Sequence, residues 1–197
     1  MEDSIRRGYA EPISSSDVNR SDGAVWYLPH HAVMHPHKPD KVRIVFDCAA
    51  RHQGVSLNDE VQQGPDLMNK LVGVLLRFRQ ESIGIMSDIE GMFNQVRVNK
   101  TDRDVLRFLW WPKGNLNEQR KIYRMTTHLF GGVWSPSCAN FALKHTAVAH
   151  GAEFDERTVA TVERCFYVDD CLASVSSEEV GIRLINSLSC WPWGDFT

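Results

Sequence analysis

Short stretches of alternating apolar and polar residues mark the first quarter of the chain, and helical spacing takes over later. Residues 32–36 and 41–46 read as two short strands joined by a turn at His37-Lys38-Pro39-Asp40. Val42, Ile44 and Phe46 share one side of the second strand, so Arg43 faces away from them. The polar stretch 10–24 reads as loop. Pro65-Asp66 opens a predicted helix to about Gln80, with Leu67, Leu71, Leu75 and Phe78 as its apolar stripe. A strand over 83–88 follows and ends at Asp88, ahead of Glu90-Gly91. Thr101 and Asp104 form a predicted capping box for a short helix. Residues 108–111 and 122–127 read as a strand pair around a polar loop. Ser135-Pro136 starts a helix that should stop at His150, with Gly151 beyond it. A strand over 162–168 then turns at Asp169-Asp170 into 171–175. Ser176 and Glu179 cap a last helix through Leu184, Ile185 and Leu188. This order predicts an α+β fold, an antiparallel sheet with helices on one face.

Composition narrows the class. The chain has 197 residues with 22 basic and 25 acidic side chains, so its charge does not announce a nucleic-acid binder. No apolar run approaches the ~20 residues that span a bilayer. The first twenty residues lack the apolar core of a secretory signal, which predicts an intracellular protein, cytoplasmic or nuclear. The five cysteines include no C-x-x-C pair, and reduced thiols are expected, with Cys165 and Cys171 as packed neighbours. His30, His31, His35 and His37 cluster in sequence, but their spacing fits no common zinc pattern.

The sharpest chemical signal is Tyr167-Val168-Asp169-Asp170. Adjacent carboxylates at a hairpin tip repel, and a bound cation relieves the repulsion. The alternative is a plain turn, where Asp is favoured on propensity alone. Asp88 tips the balance: it ends a separate apolar strand and lies 169 − 88 = 81 residues before Asp169, far enough to be the neighbouring strand of the same sheet, although alone it reads as a strand-terminal cap. Three carboxylates at neighbouring strand ends can hold two Mg²⁺ ions, the arrangement that clamps an in-line phosphoryl displacement.

With these residues in place, the order of segments resembles the reverse transcriptase of BEL/Pao-type long-terminal-repeat retrotransposons. The stretches that carry it are Trp26-Tyr27-Leu28-Pro29-His30-His31, Lys41-Val42-Arg43-Ile44-Val45-Phe46-Asp47, Ser56-Leu57-Asn58-Asp59 with Gly64-Pro65, and Leu76-Arg77-Phe78-Arg79. Ser87-Asp88-Ile89-Glu90-Gly91-Met92-Phe93, Arg107-Phe108-Leu109-Trp110, Phe130-Gly131-Gly132 with Ser135-Pro136, and the Tyr167–Asp170 box complete it. The resemblance implies a right-hand polymerase, with an N-terminal segment and fingers over 1–80 and a palm over 81–197, 101–127 returning to the fingers. It implies templated DNA synthesis, in which a primer 3′-hydroxyl attacks the α-phosphate of a dNTP. Template-primer (RNA or DNA) and dNTP are the implied partners, with two Mg²⁺ ions as cofactor and Mn²⁺ as a substitute. Asp88, Asp169 and Asp170 match the metal-binding carboxylates, with the carbonyl of Ile89 beside one ion. Phe93 matches the ring that excludes a 2′-hydroxyl; the other reading of Phe93 is a core aromatic. Arg43 matches the arginine that grips the triphosphate, with Lys38 or Lys41 as a second cation. Gly131 matches a close approach to template and nucleotide. Tyr167, Arg77 and Arg79 are the candidate nucleic-acid contacts, and Lys100, Arg103 and Arg107 are weaker ones that solvated surfaces explain as well.

After Asp170 the chain does not continue as the family does. The further palm segment, thumb and RNase H domain are not found in the 197 residues, and the end, 189–197, does not resemble the family. A catalytically inactive retroelement remnant that binds nucleic acid weakly is therefore the alternative function. An RNA-dependent RNA polymerase shares paired aspartates, but a bulky Phe93 argues against it.

Overall fold

The computed structural model describes residues 1–14, 16–19, 23–35 and 38–193, with the side chains of 35 and 38–41 excepted. The strands are β1 (Ala10–Pro12), β2 (His30–His35), β3 (Lys38–Phe46), β4 (Ile83–Asp88), β5 (Arg107–Trp110), β6 (Lys121–Met125), β7 (Phe166–Tyr167) and β8 (Asp170–Val175). The α-helices are α1 (Glu2–Arg6), α2 (Leu57–Glu60), α3 (Leu71–Phe78), α4 (Ser135–His150), α5 (Glu156–Arg164) and α6 (Glu178–Ser189). The chain divides into two units, one of residues 1–63 and 97–135, the other of 64–96 and 136–197. No helix among the described residues is long and apolar enough to cross a membrane.

The first unit holds an antiparallel sheet in the order β1-β6-β5 and the β2-β3 hairpin. The hairpin is longer than the predicted strand pair, and the centre of its predicted turn, at His37, lies outside the described residues. Phe46, Phe108 and Tyr123 form its aromatic centre, with ring centroids 5.2 Å (Phe46–Phe108) and 5.8 Å (Phe108–Tyr123) apart. Residues 10–12, expected as loop, add an edge strand instead, pairing Ala10 with Met125.

A buried ionic network holds that N-terminal segment in place. Arg107 is only 1% exposed. Its guanidinium donates to Asp104 at 3.1 Å, to the Asp17 carbonyl at 2.8 Å and to the Val18 carbonyl at 3.2 Å. Asp104 also accepts from Arg124 at 3.0 Å, and Arg124 reaches Glu11 at 2.8 Å. Arg103 donates to the Val98 carbonyl at 3.0 Å and pairs with Glu11. Arg107 therefore serves the interior, and Asp104 serves it too, so the predicted Thr101–Asp104 capping box does not form. A 3₁₀ turn, Arg103–Leu106, takes the place of the short helix.

The second unit is built on the antiparallel sheet β4-β8-β7. Ile85, Cys171, Ala173 and Val175 point into a core shared with Leu143, Val162, Phe166, Leu184 and Leu188. On the opposite side, a Cβ on Gly84 would meet the Phe78 ring at 3.0 Å, so α3 lies over that face. Helices thus pack on both faces of this sheet, rather than on one.

Three predicted elements differ in this unit. The helix expected from Pro65 starts only at Leu71, because Lys70 is extended and the Asp66 carboxylate accepts from the Met68 N–H at 3.0 Å. That local bond competes with helix formation. The buried position of α3 is Val74, and the predicted stripe residues Leu71 and Leu75 are exposed. Residues 156–164, which overlap the strand expected over 162–168, form α5. The Asp155 side chain caps it through the Thr158 N–H at 3.0 Å, and Thr158, Thr161 and Val162 are buried at helical spacing. The last helix is capped by Ser177, one residue later than predicted. Cys165 and Cys171 are free thiols, and burial pushes Cys171 up to about 12.

The ionic network yields the first prediction. Arg107→Met should cost about 3 kcal/mol, because Asp104 and two carbonyls lose a buried donor. Burial pulls the Asp104 carboxyl upward, but bonds from Arg107 and Arg124 outweigh it and hold the group below its usual range. Its stabilisation is complete above the ordinary carboxylate pKa of about 4 and is lost as pH falls through the lowered value. Asp104→Asn should therefore flatten the loss of stability below about pH 4, as measured by denaturant melts across pH.

Candidate active site

The candidate carboxylates all lie in the second unit, at one end of its sheet. β4 and β8 pair so that Asp88 stands directly opposite Asp170. Side chains at directly opposite positions share a face, and this face bears the exposed Met86 next along β4. Asp169 lies in the two-residue loop between β7 and β8, and its carbonyl accepts from the Ile89 N–H at 3.0 Å. The end of β4 is thereby fixed to the hairpin tip. Tyr167, half-buried, pairs with Asp170 from the other side.

Two backbone features shape this end. Val168 has φ +57°, a left-handed conformation that a β-branched residue rarely adopts. Positive φ at the first position of a two-residue loop matches the strand twist of a tight hairpin. After Ile89 the chain turns at Gly91, φ +59°, where glycine costs least. The 3₁₀ turn Met92–Gln95 then sends Met92 and Phe93 into the core. Phe93 is only 7% exposed.

The donor set is that of a hard cation, all carboxylate oxygen. Asp88 and Asp170 are exposed, and among the described residues no Lys or Arg forms an ion pair with Asp88, Asp169 or Asp170. No three described His, Cys, Asp or Glu side chains are gathered closely enough to hold a metal ion. The backbone thus brings the three aspartates together while their carboxylates stand apart. Two opposed acids and a third tied beside them, with no ion-paired Lys or Arg among the described residues, suit a divalent ion in chemistry and charge.

Other sequence candidates fall in different places. Arg77 donates to the Arg164 carbonyl at the end of α5, at 3.1 Å from Nε and 2.5 Å from Nη2. Arg79 is exposed. Asn69, which sequence reasoning missed, donates from one amide nitrogen to the carbonyls of Glu163 at 3.0 Å and Phe166 at 2.9 Å. Its only sequence signal is a polar residue on the flank of a predicted helix.

In the first unit, Arg43 is exposed on β3 opposite Val33. The side chains of Lys38 and Lys41 lie outside the described residues. Gly131 has φ +102°, and a Cβ there would meet the Phe46 carbonyl oxygen at 2.4 Å. Asn58 holds this loop from both sides, donating to the Gly131 carbonyl at 3.0 Å and accepting from the Val133 N–H at 3.1 Å. Nearby, His128 accepts from the Trp134 indole at 3.0 Å, and burial lowers its pKa to about 4, so it is neutral at pH 7.

The opposed acids give the second prediction. Like charges directly across a strand pair destabilise it. Asp88→Asn should stabilise the metal-free protein by about 0.5 kcal/mol, a Tm rise of about 1–2 °C in calorimetry. It should also weaken the stabilisation that added Mg²⁺ produces.

No protein-family model matches the chain, and no curated protein does. Solved structures do. The foamy viral protease-reverse transcriptase in complex with double-stranded DNA is similar over 96% of this chain and 27% of its own, with a TM-score of 0.66 and 16% identity. A crystal structure of the prototype foamy virus protease-reverse transcriptase is similar over 97% of this chain and 21% of its own, with a TM-score of 0.65 and 16% identity. A further foamy viral complex with double-stranded DNA gives a TM-score of 0.60 at 17% identity, over 95% and 32%. The chain spans about a quarter of the length of these structures. At this identity the likeness speaks for fold, and the chain has a reverse-transcriptase-like fold.

Proposed function

We propose that this chain is the fingers-and-palm part of an RNA-directed DNA polymerase of the BEL/Pao retrotransposon type, with fingers in the first unit and palm in the second, so that residues 64–80, expected with the fingers, go with the palm sheet. One observation carries the reading. Within a reverse-transcriptase-like fold, Asp88 lies opposite Asp170, and the Asp169 carbonyl is tied to Ile89, the residue after β4. In this reading Asp88, Asp169 and Asp170 hold Mg²⁺, with the Ile89 carbonyl beside them. Bound divalent ions supply charge neutralisation for the attacking and leaving oxygens of nucleotidyl transfer.

The chain's other residues position and select. Arg43, with Lys41 or Lys38, takes the triphosphate, a task that suits the planar guanidinium. The Gly131 loop, where the missing Cβ makes way for the Phe46 carbonyl, contacts template and nucleotide, and Phe93, although set in the core, excludes a 2′-hydroxyl. Tyr167 and the two arginines Arg77 and Arg79 contact primer and template. Because Arg77 already serves the Arg164 carbonyl, exposed Arg79 is the stronger phosphate contact of the two.

Primer extension on an RNA template with dNTPs and Mg²⁺, or Mn²⁺, tests the reading. The chain should extend the primer, and Asp169→Asn should lose at least about 10²-fold in rate. Absence of extension by the unaltered chain contradicts activity and leaves the non-catalytic remnant. Phe93→Ala should raise the use of rNTP relative to dNTP. Because Phe93 is buried, the same change should cost about 3–5 kcal/mol of stability, so the ratio is measured below the melting range.

A further inference from the structure

The hairpin that carries Asp169 and Asp170 is weakly specified by its own backbone. β7 is two residues long and lies at the edge of its sheet. Val168 at the tip is in a costly conformation. The Leu172 N–H donates to the Cys165 carbonyl at 2.9 Å, so residues 165 and 172 form a hydrogen-bonded pair. In an antiparallel ladder bonded and non-bonded pairs alternate. Phe166, paired with Cys171, is therefore non-bonded, and its carbonyl points off the free edge.

Asn69 takes that carbonyl. Its amide nitrogen has two protons, and the two acceptors are Phe166 at 2.9 Å and Glu163 at 3.0 Å. One side chain thus joins the last turn of α5 to the edge strand, immediately before Tyr167. Two further bonds fix the base of the same hairpin: Arg77 on the Arg164 carbonyl, and the Ser174 hydroxyl on the Arg77 carbonyl at 2.8 Å. Asn69 itself is set by the Asp66 turn and the delayed start of α3.

We infer that Asn69 is a positioning residue for the metal-binding aspartates, holding the edge of the hairpin so that Asp169 and Asp170 stay in register with Asp88. This rests on the reading of those aspartates as a metal site. The bond from the Ile89 N–H to the Asp169 carbonyl provides a readout of register that needs no metal and no turnover.

The test compares the unaltered chain with Asn69→Ala, Asn69→Ser, Asp169→Asn and Glu81→Ala. Glu81→Ala removes the ion pair with Arg157 and serves as a control for general destabilisation. Hydrogen exchange of the Ile89 amide and Mn²⁺ affinity, by the resonance signal of the free ion, are measured below the melting range. Asn69→Ala should speed Ile89 exchange and weaken Mn²⁺ binding, each about tenfold, with Asn69→Ser intermediate and Glu81→Ala unchanged. Should the alanine variant not fold, the serine variant carries the comparison. Unchanged exchange or affinity in the Asn69 variants, while Asp169→Asn loses Mn²⁺, overturns the positioning role alone. An equal loss in Glu81→Ala also overturns it. Mn²⁺ binding that Asp169→Asn leaves intact overturns the metal site itself, and the positioning role with it.

Discussion

Everything proposed for this protein depends on the register of two antiparallel strands. β4 and β8 pair from Ile83↔Val175 to Asp88↔Asp170, and the Ile89–Asp169 bond extends the match by one step. Side chains alternate along a strand, so a slip of one residue by either strand would turn its own acid toward the core. The buried set Ile85, Cys171, Ala173 and Val175 opposes that slip, because it would have to enter water. Hydrophobic burial on one face thus places the charges on the other, and the placement of the acids is a consequence of the packing.

The site end of the sheet runs against local preference in several ways. Two acids face each other with no ion-paired Lys or Arg among the described residues, a valine holds a positive φ, and the edge strand is too short to define itself. Such strain survives only where surrounding structure over-determines it. Here the core below and the Asn69, Arg77 and Ser174 bonds beside it supply that determination. The first unit repeats the theme by other means. Buried Arg107 gathers carbonyls and carboxylates from distant segments, and Asn58 holds both sides of the Gly131 loop.

The parts of this fold that sequence makes legible are those where one force dominates. An apolar run closed by Asp88 reads as a strand, and Ser135-Pro136 reads as a helix start. The parts it hides are those where a side chain overrides the pattern. Val162 opens the strand expected over 162–168, yet with Thr158 and Thr161 its spacing buries one side of a helix that Asp155 caps. Asp66 and Asn69 spend their side chains on backbone partners and shorten α3. Arg107 in an alternating strand promises a solvated charge, and only its tertiary partners reveal a buried one. Asn69 is silent for the same reason, since its acceptors lie more than ninety residues away.

The proposed metal site requires the carboxylates of Asp88, Asp169 and Asp170, which stand apart in this structure, to close on a bound ion. Soaking crystals of the protein with Mn²⁺ and measuring anomalous scattering at the manganese edge tests it most directly. Anomalous density is expected within coordination distance of all three carboxylates, at about 2.0–2.2 Å for an octahedral, oxygen-ligated ion. Fully loaded crystals with no density there, or with manganese bound only elsewhere, would contradict it.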